Sequence, residues 1–419
     1  MSNEPGRPGL SRRALLAGVT GAAGWAMLPA GSSVGSPAVV PAPKALAVPN
    51  PTVEVHLAGT DGWVSMPAGA PAIPTFWPDP LAPAGTNLYV FGFRDVTGMT
   101  ASQITAQRGK AQISAPMLVF NQETDIKITL SNLGLAQRPD LFDGHTVHWH
   151  GFRNAIPLFD GVPELSISVP IGRDFTYFYR PHDPGTYMYH CHFEDVEHVQ
   201  MGMTGLVFVR PLQNNGTADL PAAQYAYNDG DGSTRYDREF GFMMTEIWPE
   251  AHYRDAHIQT TDWTDYAPSF FALNGRAYPD TLAPAGDPLT GSGPLRYQPI
   301  SSLVTCNSGE RVLLRIANLG YQNHAVTVDG IDLTVVGKDA SLLRGRDGTA
   351  QYQVTNTVVV GPGESRDVLF TAPAPGTYLL YDRDYLSLSN AGGAALGGHA
   401  TEIRVSPPGT LAAQSRPNA

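Results

Sequence analysis

The segment at residues 185–205, GTYMYHCHFEDVEHVQMGMTG, constrains the fold of this chain more than any other. It places Cys191 between two histidines and follows them closely with His198 and Met203. A thiolate, two imidazoles and a weak axial methionine make up the trigonal copper site of blue electron-transfer proteins. The segment supplies the thiolate, the methionine and a histidine, so we expect a second segment to fold against it and complete the set.

A second histidine-rich motif, DGHTVHWHG, lies upstream and contains His145, His148 and His150. The two motifs together hold half of the chain's twelve histidines. Both have the character of β-strands, in which successive side chains point to opposite faces of the sheet. His148 and His150 therefore share one face, and His145 belongs to the other.

This alternation predicts two metal sites on opposite faces. Cys191 would meet His145 on one face and be joined by His198 and Met203 from the loop that follows, which completes a mononuclear copper site. The opposite face would carry two His-x-His pairs that suit further copper: His148 and His150 from the first motif, His190 and His192 from the second. Zinc is the alternative metal, but it is disfavoured because methionine is a poor zinc ligand and only one thiolate is present.

The region from His145 to Met203 resembles a copper-binding cupredoxin domain of the multicopper oxidases, and most closely the first domain of small, two-domain, laccase-like enzymes. The combination of H-x-x-H-x-H with H-C-H carries this resemblance. The spacings from Cys191 to His198 and on to Met203 are also similar to those of copper nitrite reductases. The resemblance implies type 1 copper ligands at His145, Cys191, His198 and Met203, and half of a type 2/type 3 cluster at His148, His150, His190 and His192.

Asp160, in LFDGVP, matches an acidic position near the oxygen site of such domains, and the resemblance implies a catalytic role for it. The same residue is equally well explained as the first residue of an Asp-Gly turn.

Composition and patterning predict an all-β protein. The chain has 44 glycines and 36 prolines with only 16% charged residues, and segments such as DIKITLSN and RVLLRIAN alternate or run as strands do. Short strands at regular spacing indicate β-sandwiches. Together with the resemblance, this predicts two tandem cupredoxin-like Greek-key β-sandwich domains after an export leader.

We predict five segments along the chain. They are a Tat-type signal peptide with a disordered connector (1–50), a copper-binding cupredoxin domain (51–212), a polar linker (213–238), a second cupredoxin-like domain (239–410) and a disordered tail (411–419). The internal repeat is visible because PGTYMYHCH in the first half parallels PGTYLLYDRD in the second.

The second domain is predicted to lack copper. Aligning the two PGTY motifs places Tyr381, Asp382 and Arg383 where the first half has His-Cys-His. An arginine cannot ligate copper, because its guanidinium stays protonated and offers no lone pair. His324 aligns with His145 but has no cysteine partner, so we interpret it as a structural remnant. The remaining histidines of this half, His252, His257 and His399, lack metal-binding spacing.

Three classes of function fit these motifs: a laccase-type oxidoreductase, a periplasmic blue-copper electron carrier, and a copper-binding protein without turnover. In the resembled family a trinuclear cluster takes eight histidines from two domains of neighbouring subunits in a trimer, whereas this chain supplies four. We therefore expect a homotrimer in which a neighbouring second domain covers the four histidines, with Asp329 or Asp382 completing a smaller site. The electron donor would be a small molecule or a protein, and molecular oxygen is the candidate acceptor.

The N-terminal sequence predicts export. Arg12 and Arg13 precede ALLAGVTGAAGWAML, an apolar run too short to span a membrane stably, and the arrangement resembles a Tat leader. A Sec signal and a retained anchor are the alternatives. We expect a periplasmic or extracellular protein without a stable membrane span in its mature form. The net charge of -11 argues against nucleic acid as a partner.

Overall fold

The computed structural model of the chain describes residues 52–67 and 76–419. The predicted leader and connector, residues 1–50, lie outside this part. Within it the secondary structure is mostly β-strand, with the short helices α1 (Ala101–Thr105), α2 (Asp195–Met201) and α3 (Pro249–Ala256). None of the described helices is both long and apolar enough to cross a membrane.

The first half folds as two four-stranded sheets with strand orders β2-β1-β4-β6 and β3-β8-β7-β5. Its strands are β1 (Thr52–Val64), β2 (Leu88–Asp95), β3 (Leu118–Asn121), β4 (Asp125–Asn132), β5 (His148–His150), β6 (Asp174–Tyr179), β7 (Gly185–His190) and β8 (Thr204–Arg210).

Side-chain alternation builds the core of this half. In β4, Ile126, Ile128 and Leu130 are buried while Lys127 between them is exposed. The three buried side chains pack across the sandwich in one core with Trp149 and other apolar residues of the opposite sheet. Strands that bury one face only are expected to alternate in this way.

The second half repeats the plan of the first. Its strands are β11 (Arg238–Ile247), β12 (Phe270–Leu273), β13 (Val304–Asn307), β14 (Arg311–Asn318), β15 (His324–Val328), β16 (Leu333–Lys338), β17 (Ser341–Leu342), β18 (Gln353–Thr355), β19 (Thr357–Val360), β20 (Ser365–Thr371), β21 (Gly376–Asp382) and β22 (Ala400–Ser406); the short strands β9 (Gln224–Tyr225) and β10 (Arg235–Tyr236) precede them. The orders β12-β11-β14-β20 and β13-β22-β21-β15 correspond to those of the first half. The parallel pairs correspond too: β1 with β4 and β11 with β14, β3 with β8 and β13 with β22. The predicted fold class is confirmed.

The strand β14 does not alternate, because both of its faces are buried. Leu314 and its neighbours on one face enter the core of the second half. On the other face Arg315 is fully buried between the two halves. Its guanidinium lies 3.1 Å from the carboxylate of Glu239, 3.3 Å from that of Asp367 and 3.2 Å from the Thr186 hydroxyl of β7. A buried charge of this kind is tolerated only when it is paired and hydrogen-bonded.

The segment 213–238, predicted as a polar linker, is packed against the second half. Tyr227 and Tyr236 are buried beside apolar residues of β14, β16 and β20. The Asp229 carboxylate accepts hydrogen bonds from the backbone N–H groups of Gly232 and Thr234. The polar residues that suggested a solvent-exposed connection therefore form hydrogen bonds with the backbone in the turn between β9 and β10.

The structure places the end of the predicted tail, 411–419, against the second half. Asn418 is buried, and its side-chain amide bonds both backbone groups of Gly241 and the carbonyl of Ser301. The remaining segment limits stay predictions.

Candidate metal centres

Pairing of β5 with β7 brings the two histidine motifs together. His148 lies opposite His190 in this antiparallel pair. His145 precedes β5 and is held by two backbone hydrogen bonds with Val169. Because side chains alternate along both strands, the histidines of the pair lie on one face and Cys191 lies on the other.

The first group consists of the Cys191 sulfur and two imidazoles. The Sγ atom of Cys191 lies 3.2 Å from Nδ1 of His198 and 3.9 Å from Nδ1 of His145, and all three residues are fully buried. His198 is carried by the short helix α2, not by the loop that the sequence suggested. Met203 is also fully buried, and Gly59 lies against the ring of His145 and the Met203 methyl group. A side chain at Gly59 would displace that ring.

This donor set fits copper. Both imidazoles turn Nδ1 toward the sulfur, and the Nε2 atom of each is buried without a hydrogen-bond partner. Burial opposes ionisation of the Cys191 thiol, but the neighbouring His198 and His145 rings outweigh it and hold the thiol pKa well below its ordinary value. The backbone N–H of Thr146 points at the sulfur from 3.4 Å. A thiolate with two imidazoles is a soft donor set of the type that binds copper.

The second group is the four-histidine face. The His148 ring centroid lies 5.1 Å from those of His190 and His192 and 5.8 Å from that of His150. Nδ1 of His150 and Nε2 of His190 are 3.4 Å apart. The four predicted residues are therefore brought together on the face opposite to Cys191.

Backbone carbonyl groups fix the tautomers of two of these rings. Nδ1 of His148 donates to the carbonyl of Asp160 at 2.6 Å, and Nδ1 of His190 donates to that of Cys191 at 2.8 Å. The Nε2 lone pair of each ring is then available to a metal, as is usual for ligating histidines. Burial lowers the pKa of His148 and His150, and lowers that of His190 to about 3, so these rings are neutral.

Asp160 lies beside this face. Its backbone carbonyl holds His148, and its carboxylate lies 3.7 Å from the same ring nitrogen. It also ends a short 3-10 helix before Gly161, where backbone approaches too closely for any side chain. Both explanations of Asp160 therefore hold structurally, and its catalytic role stays a prediction.

Among the described residues, which include all twelve histidines, the second half adds no imidazole to this face. Gly363, in the turn before β20, contacts the ring of His150. His252 binds the carbonyl of Tyr89 at 2.6 Å, and His257 binds Asp79 at 3.0 Å. His324 and His399 are buried together elsewhere in the second half.

The paired cupredoxin-like sandwiches and the Cys-His centres define a copper protein of the cupredoxin class. Two family models, both described as multicopper oxidase, match residues 96–214 and 240–405. The chain belongs to the multicopper oxidase family, whose members bind copper, and the predicted resemblance is confirmed.

Curated relatives and solved structures agree with this assignment. Laccase-5 of Arabidopsis thaliana is 30% identical over 66% of this chain and 41% of its own length. Laccase-1 of Melanocarpus albomyces is 26% identical over 75% of this chain and 43% of its own. The chain thus spans about two fifths of the length of these relatives. A blue copper oxidase from Nitrosomonas europaea shares the fold with a TM-score of 0.60 at 20% identity, over 84% of this chain and 86% of its own. A copper nitrite reductase from the same organism has a TM-score of 0.54 at 16% identity, over 88% and 97%.

Replacing the central thiolate tests the first centre. We expect Cys191→Ser to abolish the intense visible absorption of the copper-loaded protein, because that absorption needs a copper–thiolate bond. Cys306→Ser is the matched control, since Cys306 is the other buried cysteine and burial raises the pKa of its thiol to about 11. Absorption spectra and circular dichroism of both variants measure the effect. A blue Cys191→Ser protein would contradict the assignment.

Proposed function

We propose that this chain is an exported, copper-dependent oxidoreductase of the laccase type. It takes electrons one at a time from a reductant at the Cys191 centre and passes them to the four-histidine face, where molecular oxygen is the acceptor. The observation that carries this proposal is the position of Cys191. Its sulfur faces His145 and His198, while the residues bonded to it on either side belong to the four-histidine face.

The ligands of the proposed first centre are His145, Cys191, His198 and Met203. Copper bound there would supply one-electron redox chemistry. The protein keeps these donors dry and holds them in place by packing, which limits rearrangement when the charge of the site changes. His190 shares a peptide bond with Cys191 and also bonds its carbonyl, so a short bonded path joins the two centres.

A cleft of about 360 Å³ next to α2 is the proposed reductant site. Glu197 and Met201 of α2 line it, with Asp255 of α3 and Arg138 on the other side. The same helix holds His198 against Cys191. A reductant in the cleft would therefore be separated from the first centre by a single turn of helix.

The carboxyl groups of this cleft suit a donor that loses a proton with its electron, such as a phenol. Burial, together with the charge of Glu197, raises the pKa of Asp255 to about 7 despite its ion pair with Arg138 at 2.6 Å. Burial also raises the pKa of Glu197. A base whose pKa is near the working pH is the most effective proton acceptor.

Changing Glu197 to Gln tests the cleft. We expect kcat/KM for a phenol to fall by roughly 10²-fold, which is typical for loss of a positioned base, while the visible spectrum is unchanged. Oxidation of ferrocyanide, which releases no proton, serves as the internal reference. Glu250→Gln, on α3 and paired with Arg254, is the matched control. Equal losses with both donors would rule out Glu197 as the proton acceptor.

Removing two imidazoles tests the second centre. We expect His148→Ala combined with His192→Ala to lower the copper content and abolish oxygen uptake, while the visible absorption of the first centre survives. His182→Ala is the control, because His182 is exposed and bonded to Glu123. Metal analysis and an oxygen electrode give the result. Unchanged copper and oxygen uptake would show that these histidines are structural.

A blue-copper electron carrier is the second candidate function. It is favoured by the finding that all twelve histidines lie in the described residues and that those of the second half are engaged away from the four-histidine face. A copper content of about one per chain and no oxygen uptake by the wild type would select it.

We further propose a homotrimer in which a neighbouring second half covers the four-histidine face. Asp382 cannot complete the neighbour's site as the sequence suggested, because it is buried and bonded to His324. Asp329 is exposed and remains the available carboxylate. Light scattering measures the assembly, and a monomer at micromolar concentration would refute it.

Export through the Tat route is proposed from Arg12 and Arg13. Exchange of both for lysine should leave precursor in the cytoplasm, because the paired arginines are the receptor-read signal. Normal export of that variant would point to another route.

A further inference from the structure

The second half contains a buried polar cluster that the proposed function does not use. Its members are at most 3% exposed: Glu246, His324, Asp382 and His399. Two imidazoles and two carboxylates at this depth are costly unless each charge and each hydrogen-bonding atom is compensated.

The cluster occupies the position that corresponds to the Cys191 centre. The backbone N–H of Cys191 donates to the carbonyl of Met203 at 3.2 Å, where β7 leads into β8. The backbone N–H of Asp382 donates to the carbonyl of His399 at 3.0 Å, where β21 leads into β22. Asp382 therefore stands where the first half has Cys191, and His399 where it has Met203.

The third position is preserved as histidine. His148 pairs with His190 between β5 and β7, and Thr327 pairs with Tyr381 between β15 and β21. His324 precedes Thr327 by the same number of residues as His145 precedes His148. The second half has thus kept one imidazole of the centre and replaced the sulfur donors by oxygen and nitrogen.

The tautomer of His399 leaves the lone pair of its Nδ1 atom without a hydrogen-bond donor. Its Nε2 lies 3.1 Å from the carbonyl of Thr245 and 3.2 Å from that of Ala272, so Nε2 carries the hydrogen. Nδ1 is then an acceptor, is buried without a hydrogen-bond partner, and faces Oδ2 of Asp382 at 3.5 Å. Two acceptors that face each other in a buried site repel each other unless a proton or a metal ion lies between them.

The carboxylate of Asp382 is oriented for that role. Its Oδ1 accepts hydrogen bonds from the backbone N–H groups of Ala325 and Asp384, each at 3.1 Å. Its Oδ2 is left for the two imidazoles and lies 2.5 Å from Nδ1 of His324.

Glu246 supports His324 from behind. Its Oε1 lies 2.6 Å from Nε2 of His324, on the side of the ring away from Asp382. Tyr266 and the backbone N–H of Tyr321 donate to Oε2. Gly320 leaves the space that this carboxylate fills. A carboxylate that accepts the distal N–H of a ligating histidine is the usual support of a metal-bound imidazole.

We propose that this cluster binds a divalent cation of the zinc class through Nδ1 of His324, Nδ1 of His399 and Oδ2 of Asp382. Two imidazoles and one carboxylate are a zinc donor set, and no sulfur is present to favour copper. Ligand atoms on a tetrahedral zinc lie roughly 3.3 Å apart for bonds of about 2.0–2.1 Å. The His399–Asp382 separation of 3.5 Å already matches. Metal binding would release the proton shared by His324 and Asp382 to solvent and would lengthen that contact from 2.5 Å to roughly 3.3 Å.

Zinc binding to the copper-loaded protein tests this site. The full chain is produced with Cu²⁺ and Zn²⁺ in the medium, so that both ions are present before the buried sites close, and is then purified, dialysed and analysed for both metals. We expect about one zinc per chain, and about none in Asp382→Asn, with the copper content and visible absorption equal in both. Asp332→Asn is the matched control, because Asp332 lies in the same half, is exposed and belongs to neither proposed metal site.

A second variant covers the case in which Asp382→Asn does not fold. His399→Gln keeps a side-chain donor for the carbonyls of Thr245 and Ala272 but removes the free ring nitrogen, so it should also lose the zinc. Co²⁺ in the wild-type site should show ligand-field absorption without a thiolate charge-transfer band. The proposal falls if the wild type takes up no zinc, or if His399→Gln or Asp382→Asn retains it.

Discussion

The pairing of β5 with β7 is the constraint on which both proposed metal centres of the first half depend. It sets His148 opposite His190, and the two-residue period of a strand then assigns every neighbouring donor to a face. If β5 slipped by one residue relative to β7, the two histidines of β5 would move to the face of the Cys191 sulfur, away from His190 and His192. The aromatic core under this sheet, centred on Trp149, excludes such a slip because Trp149 would have to leave a position where it is 1% exposed.

The arrangement of the first half could be predicted because its information is local. Alternation along two short motifs was enough to assign His145 and Cys191 to one face. It assigned the two His-x-His pairs to the opposite face. The helix that carries His198 was not predicted, since seven residues give too little periodicity. Burial of Arg315 was not predicted either, because its three partners come from distant parts of the chain.

In the second half, sequence spacing alone did not predict which residues surround His324 and His399. Alignment of the PGTY motifs placed Asp382 at the position of Cys191, but it gave His399 no partner. The loop between β21 and β22 differs in length from its counterpart, so only strand pairing reveals that His399 stands at the position of Met203. Glu246 lies on β11, in the other sheet, and nothing near it in sequence marks it as a partner of His324.

Complete burial of Cys191 has a consequence for how the proposed first centre would acquire its metal. The thiol is covered by His145, His198 and Met203, and the other cysteine, Cys306, is buried in the second half. Oxidants and a disulfide partner are therefore kept from the sulfur once the chain has folded. The same three side chains also block the access of a metal ion to the sulfur in the folded protein. A metal ion would have to reach the thiolate before α2 packs over it. Loading would then be coupled to the last packing step of the first half, and release of the ion would require that helix to move.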